Sequence, residues 1–171
     1  RMALPAVLQN LRIPVIGAPM FIAGNPKLVI EQCKAGIVGS FPALNARPAS
    51  ALDEWLTRIR SELDAHAAAN PGAKVAPFAV NQIAHVSNDR LQHDMDACVR
   101  HQVPLIITSL RPPREIVDAA HSYGGLVFHE SYYPPEDRDA ALLYVADHMI
   151  EVMSPRDPDN MDFMYARYVR K

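Results

Sequence analysis

Few side chains in this sequence have the type and spacing to do chemistry, and they fall where apolar runs end. The run LRIPVIGAPM, residues 11–20, stops at Gly17-Ala18-Pro19-Met20. Pro19 has no backbone N–H and drives Ala18 toward extended geometry, so a strand over 12–18 ends there. Small residues at a strand end let a flat ligand approach the backbone, and Met20 adds a soft apolar contact. Plain core packing of Met20 is the competing reading. Asn81 lies at the end of VAPFAVNQ and His129 at the end of LVFHE. In chains built from alternating strands and helices, ligand groups come from strand ends. Both are therefore candidate pocket residues. Against this stand a turn asparagine bonding its own backbone and a structural histidine. His85, in the loop after Asn81, either lines the same mouth or is simply exposed.

Other chemistries lack their signatures. There is no H-E-x-x-H motif, so no metal is expected. Ser109 has no G-x-S-x-G setting, and the phosphate fingerprints G-x-G-x-x-G and G-x-x-x-x-G-K-[ST] are absent. Cys33 and Cys98 are far apart and read as helix core residues in a reducing setting. Arg111 and Arg114 flank a Pro-Pro and read as exposed. His66, His93, His101, His121 and His148 fall in helical stretches and are expected to face solvent.

Strand and helix signals alternate along the first 130 residues. The expected strands are 12–18, 37–41, 75–82, 103–109 and 126–130. Between them lie helical patterns over 27–35, from Ser50 to about Ala68, from Ser87 or Asn88 to His101, and over EIVDAAHSYG. Asn25-Pro26 supplies a cap and a first-turn proline. Leu52, Trp55, Leu56, Ile59 and Leu63 form one stripe of the longest helix. Five βα units in a row suit either a doubly wound sheet or a partial (β/α)8 barrel. After Glu130 the alternation stops. Residues 136–153 and 159–171 read as helices, so the chain divides into an α/β part, 1–130, and a helical tail, 131–171.

Taken together and in order, IPVIGAPM, AGIVGSFPALNARP, PFAVNQ and PLIITSLRPP resemble the nitronate monooxygenase (2-nitropropane dioxygenase) family over about residues 11–129. That resemblance implies an FMN-dependent TIM-type barrel. It implies flavin contacts at Ala18, Pro19 and Met20 after the first strand, at Asn81 after the third, and at His129 after the fifth. It implies oxidation of nitronates or nitroalkanes by O2 to a carbonyl compound and nitrite. The family pattern continues with a G-x-E-A-G-G-H type motif carrying the catalytic His, then with glycine-rich loops for the FMN phosphate; neither follows Glu130 here. Two alternatives follow from that departure and from the wider superfamily. One is an inactive half-barrel or interaction module. The other is a flavin-dependent NAD(P)H:quinone or enoyl-thioester reductase.

Composition bounds the partners. With 171 residues, 49% hydrophobic and 21% charged, the chain is long enough for a real core. A net charge of −2 gives no electrostatic footprint for nucleic acid or an anionic membrane. No apolar run has the length of a membrane span or the look of a signal peptide, so a cytoplasmic setting is expected. The chain opens Arg1-Met2, so a natural start at Met2 is the expectation. A homodimer of two five-strand halves would cover the open sheet edges.

Overall fold

The computed structural model describes residues 6–9, 11–110, 113–133, 151–155 and 163–169. After the short α1 (Ala6–Gln9), the chain runs α2 (Pro26–Lys34), β1 (Gly39–Pro42), α3 (Ala51–Ala69), β2 (Phe78–Ile83) and α4 (Leu91–Arg100). It continues through β3 (Leu105–Ser109), α5 (Arg114–Ser122), β4 (Leu126–Tyr133), β5 (Glu151–Pro155) and β6 (Phe163–Val169). Strands β1 to β4 lie side by side in sequence order and all parallel. Connections between parallel strands are right-handed, so an order without reversal puts every crossover helix on one face. This is the winding of a barrel wall, and it excludes the doubly wound sheet. The architecture is a partial TIM-type barrel.

The local signals explain the helices. The Asn25 side chain accepts a hydrogen bond from the Leu28 N–H at 3.2 Å, and Pro26 occupies the first turn of α2. In α3, Leu52, Leu56, Ile59 and Leu63 are buried, and Trp55 meets Phe41 of β1 with ring centroids 5.6 Å apart. Gly39 sits where α2 crosses β1: a Cβ there would lie 2.5 Å from the Val29 carbonyl oxygen. Only glycine allows that approach of strand and helix. Cys33 and Cys98 are both buried, and burial raises their thiols to about 11 and about 12, so they are inert core groups.

Three expectations are corrected. The first expected strand, 12–18, is reduced to one parallel bridge between Ile16 and Val38. Ile13 and Val15 are exposed, and the Val15 N–H is spent on the Ile13 carbonyl at 2.8 Å. A segment containing Pro14, and bridged among the described residues only to Val38, makes few ladder bonds. Four parallel strands and this bridge therefore stand for the five expected strands. Helix α4 starts at Leu91 with Arg90 at the cap position, where Ser87 or Asn88 is the expected cap. Asn88 instead accepts from the Arg90 N–H at 3.1 Å and donates to the Ile83 carbonyl at 2.9 Å, a local turn that delays the helix.

The third correction concerns the tail. Residues 151–155 and 163–169 are strands, not helix. Strand β6 runs antiparallel along β4 from Val127↔Val169 to Tyr133↔Phe163, and β5 pairs outside it. The free edge of β4 offers a ladder, and Phe163, Tyr165, Tyr168 and Val169 are good strand formers. The rest of the expected 136–153 and 159–171 helices lies outside the described residues. One sheet, ordered β1-β2-β3-β4-β6-β5, thus takes strands from both sides of Glu130.

Helices α3 and α4 are clasped at the surface by Asp53. It accepts from Arg100 at 2.9 Å and lies 3.0 Å from the His101 ring, which is half-buried rather than solvent-facing. Burial pushes the Asp53 carboxyl up, but the Arg100 and His101 hydrogen bonds and charges outweigh it and hold the carboxyl below its ordinary value. A carboxylate with a depressed folded pKa contributes stability above its unfolded pKa and loses it as pH falls through the folded value. At 37% side-chain exposure the contribution is screened to below about 1 kcal/mol. Asp53→Asn is expected to lower the unfolding midpoint by that small amount at pH 7 and by nothing once the pH is below the folded pKa. A pH series of urea melts checks it; an equal difference at every pH would refute the assignment.

Candidate functional site

Side chains alternate between the two faces of a strand, and residues in register share a face. The register rows are therefore a map of the sheet. Phe41 meets Trp55, and Gln82 donates to the Cys98 sulfur at 3.4 Å, so the rows through Phe41 and Gln82 face the helices. The rows through Ser40 and Asn81 face the opposite, barrel-interior side.

Asn81 is buried near the carboxyl end of β2 on that interior face. Its amide nitrogen donates to the Ile107 carbonyl at 3.2 Å and to the Ser109 hydroxyl at 2.7 Å. Both amide hydrogens are thereby committed, so what the side chain can offer a ligand is its carbonyl oxygen, an acceptor. These are not bonds to its own turn; they cross to β3.

The 16–24 segment lies at the same end of the sheet. The Gly17 N–H donates to the Val38 carbonyl at 2.7 Å, and the Gly17 carbonyl accepts from the Ser40 hydroxyl. Ala18 is exposed, Pro19 half-buried, and Met20 43% exposed, so Met20 is not a core residue. The next turn is held from outside by Asn45, which ends the 3-10 turn Ala43–Asn45 after β1. Its nitrogen donates to the Met20 carbonyl at 2.9 Å and the Gly24 carbonyl at 2.8 Å, and its oxygen accepts from the Ile22 N–H at 3.3 Å. The result is an apolar rim. Met20, Phe21, Ile22, Val86 and Leu110 are all large, exposed and placed in loops that follow the parallel strand ends.

His129 stands elsewhere. It pairs in register with Thr108, one row beyond Phe128, so it faces the helices rather than the Asn81 side. Its Nδ1 lies 3.0 Å from both the Thr108 hydroxyl and the Thr108 carbonyl oxygen. A carbonyl only accepts, so Nδ1 carries the proton. The structure thus puts the Ala18-Pro19-Met20 segment, held by Ser40 and Asn45, and Asn81 toward the same end of the sheet, and puts His129 on the other face. His85 is exposed, with Nδ1 accepting from the Ser87 N–H at 3.2 Å. Arg111 lies outside the described residues; Arg114 is exposed and 3.6 Å from Asp118.

Asn45, the Ser109 partner of Asn81 and the pair Arg90–Asp94 do not stand out in the sequence. Arg90 donates to the Ala46 carbonyl at 2.8 Å, reaches Ala43 at 3.4 Å and pairs with fully buried Asp94 at 3.0 Å. The only sequence signal for Asn45 is an asparagine inside a proline-bounded loop after a strand end. Among the described residues no three His, Cys, Asp or Glu side chains gather as a metal-binding set, and no helix is long and apolar enough to cross a membrane.

No protein-family model and no curated protein matches the chain. Solved structures do. A methionine-to-alanine mutant of FabK from Thermotoga maritima shares the fold with a TM-score of 0.58 at 19% identity, covering 82% of this chain and 42% of that one. FabK from Thermotoga maritima without that substitution gives 0.57 at 21% identity, covering 71% of this chain and 34% of that one. The chain therefore spans less than half the length of the structures it resembles, and what it shares with them is the fold of a barrel wall.

Proposed function

We propose that this chain is one wall of an FMN-dependent oxidoreductase of the superfamily that holds the nitronate monooxygenases. In this reading the isoalloxazine ring lies against Ala18, Pro19 and Met20, and Asn81 accepts a hydrogen bond from it. The observation that carries the reading is the commitment of both Asn81 amide hydrogens to β3, which leaves an acceptor at a strand end beside an exposed apolar rim. An isoalloxazine has flat apolar faces and a ring N–H on its polar edge, and that donor suits such an acceptor. Bound FMN supplies reversible uptake of electrons and, when reduced, reaction with oxygen. The chain's own part is to hold the ring, shield one side of it from water, and fix its edge. His129 supports from behind: its bond to Thr108 ties β4 to β3 beneath the rim.

For the substrate, two readings stand. Nitronate oxidation to a carbonyl compound and nitrite is the one the motifs imply. Enoyl-thioester reduction is the one that the likeness to FabK favours. The first test is binding. FMN fluorescence should be quenched saturably by the purified chain, and Asn81→Ala should weaken this at least about tenfold, the scale of one lost hydrogen bond with its unpaired partner. Nitrite release from propyl-nitronate, set against NAD(P)H oxidation driven by an enoyl thioester, then separates the chemistries. A chain that quenches no FMN supports the non-catalytic module instead.

A further inference from the structure

The turn beside the proposed ring contact is strained. Ile22 has φ +65° and is 78% exposed. A β-branched residue avoids the left-handed region because its side chain crowds the backbone there. Burying the side chain cannot be what compensates, since Ile22 points largely into solvent. Such outliers persist where the surroundings over-determine them. Asn25 donates to the Ala23 carbonyl at 3.0 Å and Arg47 lies over the Phe21 ring, but one side chain reaches three main-chain atoms of the turn. Asn45 satisfies the Ile22 N–H and the carbonyls of Met20 and Gly24, closing a ring around the turn. The turn adds its own Gly24 N–H to Met20 carbonyl bond at 2.8 Å. A Cβ on Gly24 would meet the Met20 carbonyl oxygen at 2.8 Å, so the turn is closed too tightly for another residue there. Asn45 is itself backed. Arg90 holds the carbonyls of Ala43 and Ala46 on either side of it, and buried Asp94 holds Arg90.

We propose that Asn45 is a positioning residue for flavin binding. It clamps the Met20–Gly24 turn in a strained form that presents Met20 and its neighbours to the ring, and it does so before any ligand arrives. This rests on the flavin reading above. Preformed loops bind more tightly because the ordering cost has been met in the folded chain.

The test has two arms on the full chain. The first needs no ligand. Hydrogen exchange at the Ile22 and Gly24 amides should be at least about tenfold faster in Asn45→Ala than in the parent, since local opening loses its clamp. The second is FMN titration by fluorescence quenching. Asn45→Ala should bind FMN at least about tenfold more weakly. Leu63→Ala, a core change in α3 far along the chain from the turn, should bind as the parent does although it also lowers stability. Asn45→Asp keeps the acceptor for Ile22 but loses both donors, so it should resemble the alanine variant. Unchanged exchange in Asn45→Ala would overturn the clamp. Faster exchange with unchanged FMN affinity would overturn its role in binding, as would equal weakening by Leu63→Ala. A parent chain that binds no FMN would refute the flavin reading and with it the binding role, while the exchange arm would still decide whether Asn45 holds the turn.

Discussion

Asp94→Ala is expected to destabilise the fold by about 3 kcal/mol, near the lower end of what breaking a buried ion pair costs. Asp94 is fully buried, and its Oδ1 takes both the Arg90 guanidinium and, at 3.0 Å, the His93 ring. Its other oxygen and the Arg90 Nε have no hydrogen-bond partner among the described residues. The pair is thus incompletely satisfied, and its loss would strand the Arg90 charge with only the Ala43 and Ala46 carbonyls. The lower end of the range applies because the Arg90 side chain is 20% exposed and water can reach part of it. Replacing both partners, as Arg90→Met with Asp94→Leu, should recover most of the stability, since apolar pairs of similar volume are often as good as a buried ion pair. It should not recover the 43–46 turn, because methionine has no donor for the two carbonyls. Urea melts of the single and double variants check this. A double variant no more stable than Asp94→Ala would contradict it.

The second large effect is expected at Phe41. Its ring is completely buried between β1 and α3 and lies tilted at 55° to the Trp55 ring. Phe41→Ala removes that packing and leaves a cavity, at a cost of about 3–5 kcal/mol. Because Trp55 is the single tryptophan, its emission reports the change directly. Emission of the folded variant should shift to the red as water reaches the indole, and the denaturation midpoint should fall. Phe41→Leu keeps most of the volume and should cost less than about 1.5 kcal/mol. Equal losses for leucine and alanine would mean that the ring is not what holds β1 to α3.

The strands and helices up to Phe128 were largely legible because each is specified locally. Apolar runs bounded by Pro and Gly stand at β1 to β4 within about three residues, and the stripe of α3 is buried as its spacing implies. The first expected strand failed for a reason that no local pattern carries. An apolar run becomes a strand only if it has neighbours, and among the described residues 12–18 forms a β-bridge at one position alone. The tail failed in the opposite sense. Met161, Met164, Tyr165 and Tyr168 recur at helical spacing, but the open edge of β4 captures 163–169 as a strand.

The candidate site was legible in part. Ala18, Pro19, Met20 and Asn81 are visible as residues at strand ends. The opposed placement of His129 is a matter of parity, which follows only once the register of β3 with β4 is known. Asn45 was invisible for a different reason. Its partners are two carbonyls and an amide more than twenty residues away, and main-chain atoms leave no trace in sequence.

The most direct test of the central claim, a flavin seat on the interior side of the strand ends, is to map FMN onto the isotope-labelled chain by amide chemical shifts. Saturable shifts are expected at Ala18, Met20, Asn81 and Ser109, with Arg58 and Glu62 on the outer surface of α3 unmoved. Shifts confined to the helical face, or none at millimolar FMN, would contradict it.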